Sequence, residues 1–346
     1  MRCRRSEPRH PDAQRGVALV VALLVFGLSA ALLVAMQSEF TLFYQRGSNL
    51  FLAEQSHAYL RGAEELATLA LVMDHDADQS REQPRDDLGE IWAQQATPYP
   101  LDEGGWLVGS LQDLQGRFNL NWLAATAANS DESAEDGARF TPAQLFFVRL
   151  LQALPEVQLG SQEAIAVTQA IGDWLDPDTI TRPFGAEDDF YAGMSPPYRA
   201  ANRPMASVSE LRAVANVTPE LYRALAPLVT VWPQTAANLN IHTAALPLLR
   251  ALNGDNELLP LSEMEGESLF QRQRGEGGFA SLDDLLEDAV FADKNMGGMR
   301  GLLGESSSWF LLTAEVEVAD RNMRLYSVLR REGRTVQAVA RAAGSL

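Results

Sequence analysis

Six carboxylates crowd the stretch GDWLDPDTITRPFGAEDDFY, which begins at Gly172: Asp173, Asp176, Asp178, Glu187, Asp188 and Asp189. Asp176, Asp178 and Glu187 stand at the first, third and twelfth places of a would-be calcium loop. Ile180 and Thr181 fill the fifth and sixth places, so the stretch is not an EF-hand. Pro177, Pro183 and Gly185 turn and stiffen the loop, and Arg182 is its only internal cation. Crowded carboxylates repel unless water or a cation neutralises them. A hard cation with oxygen ligands fits better than zinc, because no Cys or His is near. The residues alone leave two readings open, a calcium site and a solvated acidic loop.

Other chemistry has less support. Asp74, Asp76 and Asp78 repeat the calcium-loop opening, but Gln79 and Arg85 occupy places that need Gly and Glu. That segment is read as a solvated polar loop. The four histidines, His10, His57, His75 and His242, have no apparent nucleophile partner, and no G-x-S-x-G or H-E-x-x-H occurs. No catalytic residue is assigned, and the chain is not read as an enzyme. The net charge of -18 and pI near 4.6 argue against general binding of nucleic acid. The single cysteine, Cys3, permits no disulfide framework.

The elements that carry the acidic stretch begin at the N-terminus. Arginines crowd residues 2–15, Gly16 follows, and Val17–Met36 holds no charge. Twenty helical residues span ~30 Å, the thickness of a bilayer core. A secretory signal's apolar region is shorter, roughly 7–15 residues, so the run reads as a retained anchor with a cytoplasmic N-terminus. Its apolar stripe continues through Phe40, Phe43, Leu50, Phe51, Tyr59, Leu66 and Leu69. One helix from about Val17 to Met73 is therefore expected, with an amphipathic second half.

Beyond it, GGWLVGSLQDLQGRFNLNWL reads as a hairpin turning at Gln115-Gly116. Residues 124–305 read as a succession of helices, with N-caps at Thr141, Ser161 and Ser281 and a charged loop at 130–137. Helical segments are expected in SVSELRAVANV, TPELYRALAPLVTV, TAALPLLRAL and SLDDLLED. After Trp309 come three strands with turns near Arg321-Asn322 and Gly333-Arg334. The expected fold is α+β: a long N-terminal helix packed on an antiparallel sheet, with a large all-α insert. The segments are a leader (1–16), a transmembrane segment (17–36), a first part of the small domain (37–123), the insert (124–305) and a second part (306–346).

A basic leader ending in Gly, followed by an apolar helix running into a soluble domain, resembles type IV pilins and type II secretion pseudopilins. The resemblance implies cleavage by prepilin peptidase between Gly16 and Val17, with Val17 as the site of N-methylation. Most pilins carry Glu at the fifth mature position, and here that position is Val21. This absence, the stretch LQDLQGRFNLNWL and the Asp-Trp-x-Asp…Gly-Ala-Glu-Asp…Tyr pattern resemble the K-class minor pseudopilins of type II secretion. The pilin-like fold is implied by that resemblance. So is a place at the tip of the pseudopilus, with I- and J-class minor pseudopilins as partners, supporting export of folded proteins. So are an inner-membrane anchor with a periplasmic globular part, and one or two structural calcium ions at Asp173, Asp176, Asp178, Glu187, Asp188 and Asp189.

LNIHTAALPLLRAL and SVSELRAVANVTPELYRAL resemble SAM-like or helix-hairpin-helix units. This gives an alternative, an anchored helical-hairpin protein of DNA uptake or another type IV pilus system. Its Gly-rich hairpin and flanking cations are missing, and Arg212, Arg223 and Arg250 are scattered among acids. An anchored periplasmic hydrolase using two carboxylates is a third class.

Overall fold

The computed structural model describes residues 15–344 apart from 82, 103, 127–138, 236 and 276. The basic leader through residue 14 and the 130–137 loop lie outside the described residues. Internal contacts divide the chain into two compact units, Met1–Ala58 and Tyr59–Leu346.

In the first unit, α1 (Arg15–Asp78) begins. Val17, Leu19, Val20, Leu23, Leu24, Phe26, Leu28, Leu32, Leu33 and Met36 are all exposed. An all-round apolar surface with no core beneath it suits lipid as the solvent. Among the described residues α1 alone is long and apolar enough to cross a membrane.

The second unit opens with the end of the same helix. Leu60, Ala63, Ala67 and Leu71 are buried, three and four residues apart. The stripe continues to Asp74 and Asp78, which are buried as well. The helix therefore runs five residues past Met73, and this part of the acidic segment is not a solvated loop. The reason is an arginine from far along the chain: Arg331 Nη1 donates to Asp74 Oδ2 at 2.8 Å. Higher on the stripe, Glu64 accepts from Ser327 Oγ at 2.6 Å and from Arg341 Nε and Nη2 at 2.8 and 2.9 Å. Leu71 is completely buried. Leu71→Ala should cost roughly 2–4 kcal/mol, read as a lower denaturant midpoint with an unchanged m-value; an unchanged midpoint would contradict this packing.

The partner is a five-stranded antiparallel sheet in the order β1-β2-β7-β8-β9. Its strands are β1 (Tyr99–Pro100), β2 (Trp106–Asp113), β7 (Trp309–Val318), β8 (Arg321–Glu332) and β9 (Thr335–Ala342). Phe310, Leu312, Ala314, Val316 and Val318 alternate into the core from β7. The turn at Gly333 falls where expected, with φ of 58°. The other lies at Ala319-Asp320, with φ of 50° and 59°, two residues before the expected place. Both residues take the positive φ of a tight hairpin, and an alanine there gives no sequence signal.

The expected hairpin at Gln115-Gly116 does not form. After β2 the chain leaves the sheet, and β3 (Phe118–Asn119) pairs in parallel with β4 (Val229–Thr230). A second small parallel pair joins β5 (Leu239–Asn240) to β6 (Leu303–Gly304).

Between these pairs lie helices α2 (Pro142–Gln152), α3 (Ser161–Leu175), α4 (Asp188–Ala192), α5 (Pro219–Leu225), α6 (Leu246–Arg250), α7 (Glu263–Arg274), α8 (Leu282–Leu286) and α9 (Gly297–Arg300). Thr141 and Ser281 cap as expected, while Gly160 rather than Ser161 caps α3. Ser161 is the first helical residue and donates instead to Gln152 Oε1 at 2.9 Å. SVSELRAVANV forms a 3-10 turn over Val208–Ala213, not an α-helix. The α7 helix is mostly polar, so apolar periodicity did not announce it. One continuous core holds Phe118, Phe146, Phe147, Trp174, Tyr191, Leu248 and Phe279. Arg149 is wholly buried in it and donates to the carbonyls of Asn253 and Glu257 at 3.0 and 2.7 Å.

Candidate functional site

The acidic stretch spans the end of α3, a turn-rich loop and the start of α4. Asp173 sits in the last turn of α3, where the helix's apolar face has already been buried by Ala170, Ile171 and Trp174. Asp176 is the C-cap, and Pro177 prevents the helix from continuing. The chain doubles back so that Gly185 passes over Asp173. A Cβ on Gly185 would lie 1.9 Å from Asp173 Oδ2, so only glycine allows this approach.

The loop gathers carboxylates. Ligand oxygens of Asp176, Asp178 and Glu187 all lie within 4.8 Å of one another. Asp173, Asp176 and Glu187 are buried, and Asp178 is exposed. Arg182 Nη2 donates to Asp176 Oδ2 at 2.8 Å, and Arg182 Nε lies 3.3 Å from Asp173 Oδ1. The Arg182 backbone N–H donates to Asp173 Oδ2 at 3.2 Å. Asp178 Oδ1 accepts from the Ile180 N–H at 2.8 Å.

One arginine does not satisfy this group. Both oxygens of Glu187 and Oδ1 of Asp176 are buried without a hydrogen-bond donor. A carboxylate that is 4 % exposed and has no donor on either oxygen is far more costly than a paired one. Burial, then the neighbouring Asp173 and Asp176, pushes Glu187 up to about 7. Burial likewise pushes Asp173 up to about 6, and it raises Asp176. With all four carboxylates ionised, one guanidinium leaves three negative charges, and a divalent cation would cancel two of them.

The remaining two residues of the stretch go elsewhere. Asp188 Oδ1 accepts from the Ala200 N–H at 3.0 Å, and Arg199 Nε is 3.9 Å from its other oxygen. Asp189 is exposed on α4. The structure also adds a residue that spacing did not indicate. Asn202 Oδ1 is buried without a partner, while its Nδ2 donates to the Asp178 carbonyl at 3.2 Å. Asn202 takes a φ of 46°, a conformation that asparagine tolerates well. Its distance from Asp178 along the chain hid it.

The other two motifs are structural. In LQDLQGRFNL, Asp113 is buried and collects four donors. Gln115 N–H donates to Oδ1 at 2.7 Å, while Thr243 Oγ1, Ser307 Oγ and Asn240 Nδ2 donate to Oδ2 at 2.5, 2.7 and 3.1 Å. Asn240 and Thr243 belong to LNIHTAA, so one buried hub explains both stretches. Gly116 belongs to it as well, because a Cβ there would meet Thr243 Oγ1 at 2.4 Å. His242, between Asn240 and Thr243, is buried; desolvation, then the nearby Arg85, lowers it to about 4, so its imidazole is neutral.

A family model described as type II secretion system (T2SS), protein K matches residues 116–234, which include the acidic stretch. Type II secretion system protein K of Pectobacterium carotovorum subsp. carotovorum is 32% identical over 335 residues, covering 96% of this chain and 97% of that one. The protein of the same name from Aeromonas hydrophila is 33% identical over 322 residues, covering 92% and 93%. A chain in the crystal structure of the GspK-GspI-GspJ complex from the enterotoxigenic Escherichia coli type 2 secretion system superposes with a TM-score of 0.72. It is 25% identical, and the match covers 87% of this chain and 100% of that one.

Proposed function

The chain belongs to the type II secretion system protein K family, and from that premise we propose that it is the minor pseudopilin at the tip of the secretion pseudopilus. The observation that carries this reading is the extent of the match, which covers 96% of this chain and 97% of the relative. The relative of known structure assembles with GspI and GspJ. The partners proposed here are accordingly the I- and J-class minor pseudopilins, with the three together initiating or capping the fibre that supports export of folded proteins.

Val17–Met36 anchors the chain in the inner membrane, and the second unit lies in the periplasm. Prepilin peptidase removes residues 1–16 after Gly16, leaving Val17 as the N-terminus and methylation site. The helical segment 124–305 is taken as an insert of SAM-like or helix-hairpin-helix-like units. Its bulk keeps the subunit from repeating along a thin fibre, and Val21 lacks the carboxylate of a standard subunit contact.

The acidic stretch holds calcium. Asp173, Asp176, Asp178 and Glu187 supply oxygen ligands for one or two ions, with Asn202 Oδ1 as a neutral ligand beside them. Asp188 and Asp189 remain candidates for an outer ion. The role is structural: the ion pins the loop to the end of α3. No reaction is assigned to the chain.

Two measurements test the role. A tagged full-length chain, co-expressed with the I- and J-class subunits of its own system, should bring down both. Capture of neither would reject the tip assignment. Mass spectrometry of the membrane form should find Val17 at the N-terminus, and Gly16→Glu should leave only precursor. Normal mature protein from Gly16→Glu would reject the processing site.

A further inference from the structure

A second set of buried charges lies where the end of α1 meets the sheet, apart from the calcium stretch. From α1 come Asp74 and Asp78; from the segment that follows come Asp86 and Glu90. All four are buried, and oxygens of Asp74, Asp86 and Glu90 lie within 4.8 Å of one another. Two guanidiniums face them. Arg331 of β8 bonds Asp74 and Asp86, and also the Ser307 carbonyl at 2.9 Å. Arg81 bonds Glu90 and lies 2.9 Å from Asp78 Oδ1. Nearby, Arg85 is already paired with Asp87 at 3.1 Å, and the buried Asp113 of β2 adds a like charge beside Asp86. Asp76 and His75, also on α1, belong to other surroundings: Asp76 pairs with Arg334 on the surface, and His75 is half-exposed.

Four buried carboxylates against two guanidiniums leave two unbalanced charges out of water, an arrangement that favours protonation. A metal ion fits poorly. Glu90 Oε2 already accepts from Trp92 Nε1 at 2.8 Å, Asp86 Oδ2 from the Ser307 N–H at 2.6 Å, and Asp74 holds Arg331. A cation would have to expel the arginine.

We propose that these carboxylates share a retained proton at neutral pH, and that the junction of the α1 end, the 86–90 segment and β8 loosens as that proton is lost. Burial, then the charge of Glu90, pushes Asp74 up to about 7. Burial also raises Asp78, Asp86 and Glu90. A carboxyl raised in the folded form contributes its full stability below the ordinary carboxylate range, and loses it as pH climbs through about 7. The junction is therefore tight in mild acid and weaker in alkali.

The test uses the full chain in detergent with saturating calcium, so that the Asp173–Glu187 stretch stays metal-bound or, without a metal site, behaves identically in all samples. Infrared spectra should show a protonated-carboxyl stretch that persists to about pH 7 and is diminished in Asp74→Asn and Glu90→Gln. Amide exchange over residues 70–78, corrected for intrinsic rate, should accelerate by up to about tenfold per pH unit between about pH 5 and 7. Asp74→Asn should flatten that slope. Glu90→Gln keeps an acceptor for Trp92 and carries the same test if Asp74→Asn does not fold. Absence of the band above about pH 5 in the wild type, an equal slope in a folded variant, or a divalent ion bound at the cluster would overturn the proposal.

Discussion

Asp113→Ala is expected to destabilise the Tyr59–Leu346 unit by about 3–5 kcal/mol, because it strands several buried donors at once. Thr243 Oγ1, Ser307 Oγ and Asn240 Nδ2 would lose their shared acceptor at a buried position. Asp113→Asn should cost less, since its amide oxygen can still accept from the three donors on Oδ2 while its NH₂ faces only the Gln115 N–H. Equilibrium unfolding in urea measures both. A loss below about 1 kcal/mol in each would mean that the hub is not the tie described above.

Calcium should raise the melting temperature of the full chain over its value in chelator. At saturation the gain is on the order of 2–4 kcal/mol, or roughly 5–10 °C. Glu187→Ala combined with Asp176→Ala should remove most of the difference. The effect should depend on pH in a definite direction. In chelator, Glu187 and Asp173 titrate near 7 and near 6, above their ordinary values. Their contribution is full in acid and is lost as pH rises through that range, so the metal-free protein weakens toward neutrality. Calcium competes with those protons, so the difference between calcium and chelator should widen from about pH 5 to about pH 7.5. Equal melting in calcium and chelator across this range, with no metal by elemental analysis, would leave a solvated loop as the correct reading.

The acidic stretch was legible because its residues are close in sequence, and a count of carboxylates against one arginine needs no coordinates. The long helix was legible for a similar reason, because its apolar periodicity is local. Its packed face was not, since Leu66 and Leu69 of the expected stripe are exposed and Leu60, Ala63, Ala67 and Leu71 are buried instead. What escaped was whatever depends on a distant partner. Asp74 looks solvated until Arg331 is placed against it. Asp113 and Asn240 look unrelated until the hub joins them. The hairpin at Gln115-Gly116 failed because the apolar residues after the turn are equally suited to a core. Phe118 stacks on Phe146 of α2, with centroids 5.4 Å apart, rather than returning along β2.

The order of the sheet constrains how the protein can be made. Strand β2 finds its neighbour in β7, with Asp113 opposite Phe310. Nearly the whole chain must therefore emerge before the central pair of strands can meet. Arg331 and Arg341, which hold Asp74 and Glu64, arrive later still. Contacts so distant in sequence form slowly. For a chain synthesised N-terminus first, the amphipathic end of α1 and strand β2 wait with their apolar faces open until synthesis is almost complete. During biogenesis this interval is the time of greatest exposure to proteolysis and aggregation, and it closes only with the last strand.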